Sequence, residues 1–565
     1  MQSGSLFLPP PARAARTRLM TLATGLAALA AAPVQAFEFD TGNPDLAVRW
    51  DNTPRVNYAV RVEQRDSKIG NSPIADEGTF SFDKGDAVAK RLDWLSELDV
   101  VYQKRWGLRL SAAAWNDAAY GDRSRSNPNP PLSNIPSYIG HQYSNTVKRL
   151  YAGPSGEVLD AFVFGSVDLG EVPVKAKLGR HTVYWGESLL LGGNLHSVAY
   201  AQNPLDLQKG FGVPGTEAKE LFRPLNQLSA QAQLSDELSV AGQYLLEWAP
   251  FRYPEGGTYL GPVDFTFNGP DRQFLSAAAG FANRGPASEP RQRGEWGLSA
   301  RWSPAWLDGT MGLYYRNFAD KLPQTFLTQG PAAPGGARYN LLYADRIDLL
   351  GASLAKNIAG VSVGAELSYR RNTPLTSQVL GMVAGLPAAG DTQGPRGDTW
   401  HALLNGVGVI SKTPLFDSAT WAAEVVWSQW AKVRSGANLF FAEGFAPCNG
   451  KDKWDGCTTK NYVGAGLSFT PVWYQVAPGV DLSLPITYAV GLSGNAATVF
   501  GGNQGNGNYS IGLGADVHQK YRFDLKYIDF VGRYKDNGTA VTAQNGFTTL
   551  LKDRGFLSLT FKTTF

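Results

Sequence analysis

The sequence predicts an all-β fold, a large closed antiparallel transmembrane β-barrel of about eighteen strands, sixteen being the alternative count, with long external loops. Three observations carry that reading. Apolar and polar residues alternate with a period of two over many segments of about ten residues, the length that crosses a bilayer at a tilt. Short and long connections alternate between those segments. Beyond residue 36 no stretch approaches the ~18 uninterrupted apolar residues of a helical span.

Composition narrows the function classes. The 565 residues are 18% charged, below the roughly 25% usual in soluble proteins, and include 63 Gly, 15 Trp and 23 Tyr. That mixture disfavours a coiled coil, a disordered tail and a basic nucleic-acid binder. At the N-terminus Arg13, Arg16 and Arg18 precede an apolar run over 19–32, and Pro33-Val34-Gln35-Ala36 supplies small residues before Phe37. This is the order of a secretory signal, so residues 1–36 are expected to be cleaved and 37–565 to form the barrel. A membrane anchor is the alternative, but the run is shorter than the ~20 residues a span takes. Without those three arginines the basic and acidic residues are equal in number, which gives no electrostatic case for steering nucleic acid or anionic membranes.

The alternation is clearest at 46–62, where Leu46, Val48, Trp50, Val56, Tyr58 and Val60 oppose Arg49, Asp51, Arg55 and Arg61. It returns at 238–248, 361–370, 480–490, 509–517 and 557–565, whereas 158–169, 174–184 and 346–354 mix their faces. Turns at 104–107, 235–237, 356–360, 476–479 and 518–520 alternate with long segments at 63–90, 121–156, 185–224, 249–293, 372–396 and 431–460. Tight periplasmic turns and long external loops give that rhythm in the outer membrane of Gram-negative bacteria. A soluble sandwich or propeller also alternates. Against it stand the aromatics near strand ends (Trp50, Tyr58, Trp94, Tyr102, Trp248, Trp296, Trp302, Trp421, Trp427), which fit interfacial girdles, and the charged character of the opposite faces. The final strand carries Phe561 and the terminal Phe565, an ending that looks like the membrane-insertion signal read by barrel-assembly machinery.

Polar parity assigns Arg49, Arg55, Arg61, Asp93, Glu97, Asp99, Arg109, Glu247, Arg301, Arg316, Glu366, Arg370, Glu424 and Asp524 to the lumen, with Asp51, Glu295, Asp516, Arg522 and Lys526 beside them. Both signs occur in comparable number, so no single-sign ring for ion selection is indicated. Cys448 and Cys457 flank a polar stretch, and in an exported chain they read as a loop-closing disulfide. A metal or redox site is the alternative, but there is no third cysteine, and His141, His181, His196, His401 and His518 lack ligand spacing. No metal and no cofactor is therefore expected. Hydrolase, metalloprotease and nucleotide-binding motifs are absent, which argues against an enzyme.

One segment places Arg, His, Trp and Glu where a strand runs into a long loop: Gly179-Arg180-His181-Thr182-Val183-Tyr184-Trp185-Gly186-Glu187. With Asn203-Pro204-Leu205-Asp206, Glu217-Ala218-Lys219-Glu220, Tyr244-Leu245-Leu246-Glu247-Trp248, Glu366-Leu367-Ser368-Tyr369-Arg370 and Asp553-Arg554-Gly555-Phe556, it resembles a proteobacterial outer-membrane family catalogued as a domain of unknown function, number thirteen-oh-two. The family's usual motif has Gln where this chain has His181. The resemblance implies a large barrel and, as partners, a periplasmic lipoprotein-carrier-like protein and a resistance-nodulation-division type inner-membrane transporter. The expected function is an outer-membrane channel or transporter for a hydrophobic or small organic solute. The alternative is a non-transporting surface-binding or assembly protein. Leu189, Leu190, Leu191, Leu195 and Val198 in one long loop, and the apolar run 274–282 in another, are expected to fold inward, constrict the lumen and line a greasy entry; the alternative is that they pack on each other as a lid with no ligand.

Overall fold

Eighteen antiparallel strands close on themselves in the computed structural model, which describes residues 37–130 and 132–565. The main sheet contains 20 strands, of which Phe37–Phe39 is a short addition beside the first crossing, while Val480–Ser483 and Ile486–Ser493 are halves of one crossing parted at Leu484-Pro485. The alternation over 480–490 suggested one unbroken strand there. Pro485 has no N–H to give the ladder, which interrupts it. The expected signal segment, residues 1–36, lies outside the described residues.

The crossings are β1 (Leu46–Arg61), β2 (Ala87–Tyr102), β3 (Trp106–Asp117), β4 (Ser155–Leu169), β5 (Val172–His181), β6 (Leu225–Gln233), β7 (Leu238–Leu245), β8 (Trp296–Trp302) and β9 (Gly309–Phe318). They continue as β10 (Ile347–Ile358), β11 (Val361–Pro374), β12 (Arg396–Ile410), β13 (Ser418–Ser435), β14 (Asn461–Ala477), β15 (the split pair), β16 (Gly507–Val517), β17 (Tyr521–Val531) and β18 (Phe556–Thr563). Closure is made by β18, which pairs with β17 on one side and with β1 on the other, from Arg55 opposite Lys562 to Arg61 opposite Phe556. Terminal Phe565 extends the seam by exchanging main-chain bonds with Asn52, 2.6 and 2.9 Å. An even strand number brings both ends of the barrel chain to the short-turn side and leaves no sheet edge in lipid.

Leu298, Leu313, Leu350, Leu404 and Leu559 face outward between two aromatic zones, Trp50, Tyr102 and Trp302 at the turn end and Tyr58, Tyr244, Trp296 and Trp400 at the loop end. No described helix is long and apolar enough to cross a membrane, so the strands do the crossing. A closed barrel wearing such a belt places the chain in the outer membrane of a Gram-negative bacterium. Trp248 is a correction to the girdle assignment. It is buried, and its ring packs on Tyr343 at 4.9 Å in the loop layer.

The strands whose faces mix in sequence have physical causes. In β4 a register shift opposite Leu110 and Ala112 lets Leu159 pack on Leu95 and Ala113 while the next residue, Asp160, reaches Arg109. In β10 Ile347 and Leu349 point inward yet are apolar, because they pack on loop residues such as Val198 and Tyr200 rather than on water.

The long loops build an external cap. A four-stranded sheet of Gln324–Gln329, Ala337–Leu342, Gly280–Arg284 and Arg272–Ser276 lies across it. The apolar run 274–282 forms the Arg272–Ser276 and Gly280–Arg284 hairpin, whose tip at Ser276 to Ala278 is exposed; it does not constrict the lumen. Cys448 and Cys457 are joined in a disulfide in the loop after β13. Within the cap Asp264 accepts from the N–H groups of Glu77 and Gly78, and Glu255 accepts from Gly269 N–H at 2.7 Å. Burial pushes the Asp264 carboxyl up to about 6 and that of Glu255 up to about 7.

Two outcomes follow. Both acids hold their protons in the folded cap after the unfolded chain, near pH 4, has lost them, and burial with Asp264 raises the neighbouring Asp76 and Glu77 in the same direction, so cap stability falls as pH rises from about 4 through and beyond neutrality. Amide exchange at 72–81 and 255–269, corrected for intrinsic rates, is expected to be slower at about pH 5 than at about pH 8, with Glu255→Gln reducing the difference. Leu313 lies mid-strand on the lipid face, 60% exposed. Leu313→Arg is expected to destabilise the refolded barrel by about 2–4 kcal/mol in denaturant titration, and an unchanged midpoint would refute the lipid-facing register.

Candidate functional site: a plugged lumen

After His181 the chain leaves the wall and crosses the lumen before returning at β6, so residues 182–224 form an internal plug. Such irregular backbone, taken out of water, needs partners for its N–H and C=O groups. The wall supplies them. Glu366 on β11 accepts from the N–H groups of Glu187 and Val198, the latter at 2.7 Å. Glu424 on β13 accepts from Leu189 N–H at 2.8 Å and Leu190 N–H at 3.2 Å. Arg370 donates to the carbonyls of Leu195 and Ser197 at 2.9 and 3.0 Å, and Arg316 to those of Val198 and Tyr200 at 2.9 and 2.7 Å. Arg55 donates to Gly215 O at 3.0 Å and forms a 2.7 Å ion pair with Glu220.

Two glycines make the approach feasible. A Cβ at Gly193 would overlap the Glu424 carboxylate, and one at Gly186, whose φ of +86° also favours glycine, would overlap that of Glu366. The motif residues therefore sit where the chain turns from wall to plug. His181 bonds Ser229 Oγ at 2.7 Å, Trp185 donates its backbone N–H to Gln202 at 3.0 Å, and Glu187 accepts from Ser353 Oγ at 3.1 Å. Gly179 adopts φ +121° with no room for a side chain against Ala161 O.

Arg180 and Glu247 form an ion pair at 2.8 Å outside the lumen. Arg180 shares its face with Leu178, which is opposite Leu228, and both leucines are exposed. Glu247, read as luminal by parity, is thus a correction: β7 ends at Leu245, and the bend at Leu246 breaks the alternation.

The other charged residues divide by depth. Arg61 clasps the carbonyls of Thr79, Phe82 and Asp553 at 2.7 Å each near the loop end. Asp93 pairs with Arg91 at 2.9 Å and lies 3.6 Å from Arg55. Towards the turn end Arg109 bridges Glu97, Asp99 and Asp160, and Lys219 of the plug also reaches Glu97. Arg49 pairs with Asp51 at 2.7 Å, Asp524 with Arg522 at 2.7 Å, and Arg301 stands 4.0 Å from Glu187. There the wall is open to solvent, with the Arg49 side chain 60% and that of Arg301 46% exposed.

A chamber of about 550 Å³ lies beneath the plug, bounded by Tyr184, Leu189, Leu190, Leu221 and Phe222 together with Lys219. Leu195 and Val198 instead pack upward against the plug's own core. Two histidines that spacing left unrelated meet at the plug–wall contact, His196 Nδ1 lying 3.0 Å from His401 Nδ1. The remaining bonds order the pair. His196 Nε2–H donates to Gly501 O at 2.8 Å, His401 Nδ1–H donates to His196, and His401 Nε2 accepts from Thr399 at 2.9 Å. Burial, with Arg370 nearby, pushes His196 down to about 4, so it is neutral at neutral pH. Among the described residues no group of three or more His, Cys, Asp or Glu could hold a metal ion.

Comparison with known proteins gives a family match and distant structural likenesses. The family described as Protein of unknown function (DUF1302) matches residues 17–565. No curated protein matches. Among solved structures, Acinetobacter baumannii OccAB4 is similar at 9% identity and a TM-score of 0.40, covering 94% of this chain and 100% of its own. Pseudomonas aeruginosa OpdK with vanillate is similar at 9% identity and 0.39, covering 92% and 98%. A BenF-like porin from Pseudomonas fluorescens Pf-5 is similar at 9% and 0.38, covering 94% and 99%.

The paired change Glu366→Gln and Arg370→Met is expected to leave a heat-modifiable, folded barrel, while amide exchange at 187–200 accelerates on the order of tenfold or more. Loss of barrel insertion, or unchanged exchange, would remove these residues from the anchoring role.

Proposed function

Because the chain belongs to the DUF1302 family of proteins of unknown function, we propose from its own geometry that it is a gated outer-membrane channel for a hydrophobic or small organic solute. The observation that carries this reading is the plug, a segment spanning the lumen and held by hydrogen bonds from wall side chains to its backbone. Its lower face, where Leu189, Leu190, Leu221 and Phe222 outweigh a few polar groups such as Asn194 and Asn203, bounds the 550 Å³ chamber. Carboxylate–amide and guanidinium–carbonyl contacts can be exchanged for water as the plug shifts, whereas the closed main-chain ladder of the wall cannot open cheaply in lipid. An apolar solute would meet Leu189, Leu190 and Phe222 in the chamber, while the charged lower wall stays hydrated.

A periplasmic lipoprotein-carrier-like protein and a resistance-nodulation-division type transporter are the partners this reading takes from the family resemblance. They would remove or deliver solute at the turn end. Phe561, stacked among Tyr521 and Phe523, and Phe565, against Trp94, are proposed as the signal read by the assembly machinery.

The test is solute uptake by liposomes carrying the mature chain, beside single-channel recording. The intact protein is expected to pass current poorly, and Glu366→Ala with Glu424→Ala to raise conductance on the order of tenfold. Leu189→Asn with Phe222→Asn is expected to slow uptake of an apolar solute severalfold without changing conductance. An inserted double-Ala variant that neither conducts nor passes solute would overturn the channel reading.

A further inference from the structure

A second cavity, of about 380 Å³, opens among the external loops, with no wall strand in its lining. Phe265, Phe267, Phe441, Phe500 and Phe547 supply its aromatic surface. They are arranged as a partial stack. The rings of Tyr253, Phe267 and Phe500 form a triangle, Tyr253 lying 5.4 Å from Phe267 and 4.5 Å from Phe500, which are 5.9 Å apart, with all three planes within 27° of one another. Phe547 stands 6.3 Å from Phe500.

Backbone conformation argues that the rings are held there at a cost. Phe267 has φ +64° and Phe500 φ +56°, the left-handed region that bulky side chains avoid at roughly 1–3 kcal/mol each. Packing alone could be met by residues in ordinary conformations, so two such aromatics lining one cavity point to a use for their faces.

The charge of the lining sets the ligand's character. Asp455 is neutralised by Lys535 at 2.8 Å, and the Lys451 ammonium lies 3.4 Å from Pro447 O and 5.3 Å from the centre of the Phe441 ring. Ser377, Thr542 and Gln544 contribute hydroxyl and amide groups. We propose that this vestibule binds an uncharged molecule built on an aromatic ring system with a hydroxyl or carbonyl substituent, packed against Phe500 and Phe547, whose planes stand 52° apart. This deepens the channel reading and rests on it for the ligand's onward path. Gly501, next to Phe500, accepts the His196 hydrogen bond of the plug, so the floor of the vestibule and the plug share one contact.

The test is calorimetric titration of the full mature chain in lipid nanodiscs with 2-naphthol, with empty nanodiscs subtracted and 2-naphthoate and cyclohexanol as comparisons. Saturable 2-naphthol binding, tighter than either comparison, is expected. Phe500→Leu and Phe547→Leu keep apolar bulk and remove a ring face, and each is expected to weaken binding about three- to tenfold. Where Phe500→Leu disturbs the cap, Phe547→Leu decides. Absence of saturable binding to the intact protein, equal affinity in a folded Phe547→Leu variant, or tighter binding of the anion or of cyclohexanol would overturn the proposal. Binding that survives alongside failed liposome uptake removes the channel reading and keeps the vestibule, and uptake without binding does the reverse.

Discussion

Everything inside this barrel depends on satisfying backbone that has left the sheet. The wall needs no help, since its main chain is paired strand to strand. The loops that enter it bring N–H and C=O groups into a region short of water, where an unmade bond costs about 1–3 kcal/mol. Wall side chains answer each need by sign: carboxylates take N–H groups and guanidiniums take carbonyls. Arg61, Arg316, Arg370 and Arg554 are among the largest fully buried side chains, and each donates to loop carbonyls. Among the described residues Arg316 and Arg370 have no carboxylate within ion-pair distance; one Nη of each serves two plug carbonyls, and their planes lie over Phe318 and Tyr200.

This distribution explains a neutral lumen that is nonetheless crowded with charge. Ion pairs between wall residues form at both ends, around Arg109, Asp99 and Arg522 at the turn end, where solvent reaches them, and as Arg91 with Asp93 and Arg434 with Asp398 towards the loops. What differs in the upper lumen is that Glu366, Glu424, Arg316 and Arg370 face the plug's backbone. The upper lumen is thus a socket shaped to one segment, and the lower lumen a charged wall beneath a largely apolar ceiling.

Much of the fold was legible because bilayer crossing imposes a strict period. Strands from 46–62 to 557–565 alternate since one face meets lipid and the other does not, and the short turns fall where alternation stops. Legibility failed where a face met protein instead of lipid or water. Ile347 and Leu349 look out of phase because the plug is apolar opposite them. Glu247 looks in phase because parity cannot register a bend at Leu246. The loop strands at 324–342 carry no alternation tied to a membrane, and their sheet, built partly with parallel pairing, is fixed by cap packing. At the site, parity could select Glu366, Arg370 and Glu424 as inward but not say what they hold, because the partners are main-chain atoms and carry no residue signature. His196 and His401 were beyond reach for a different reason, being 205 residues apart and joined only by the path of the plug.

The manner of anchoring also bears on how such a lumen could open. A plug fixed by a covalent link or a continuous sheet would open only by unfolding. Here the anchors are separate hydrogen bonds on different strands, with Glu366, Arg370 and Glu424 gripping 187–198 from one side of the barrel while Arg55 and Glu97 hold 215–220 from the other. Releasing one set leaves the other, and the apolar packing of Val198, Tyr200 and Leu205, intact. Gly186 and Gly193 sit under the first set, where any side chain would prevent the carboxylates from closing on the backbone. The glycines and the two glutamates are therefore one device, and substituting either glycine should weaken the grip as surely as removing the acid it faces.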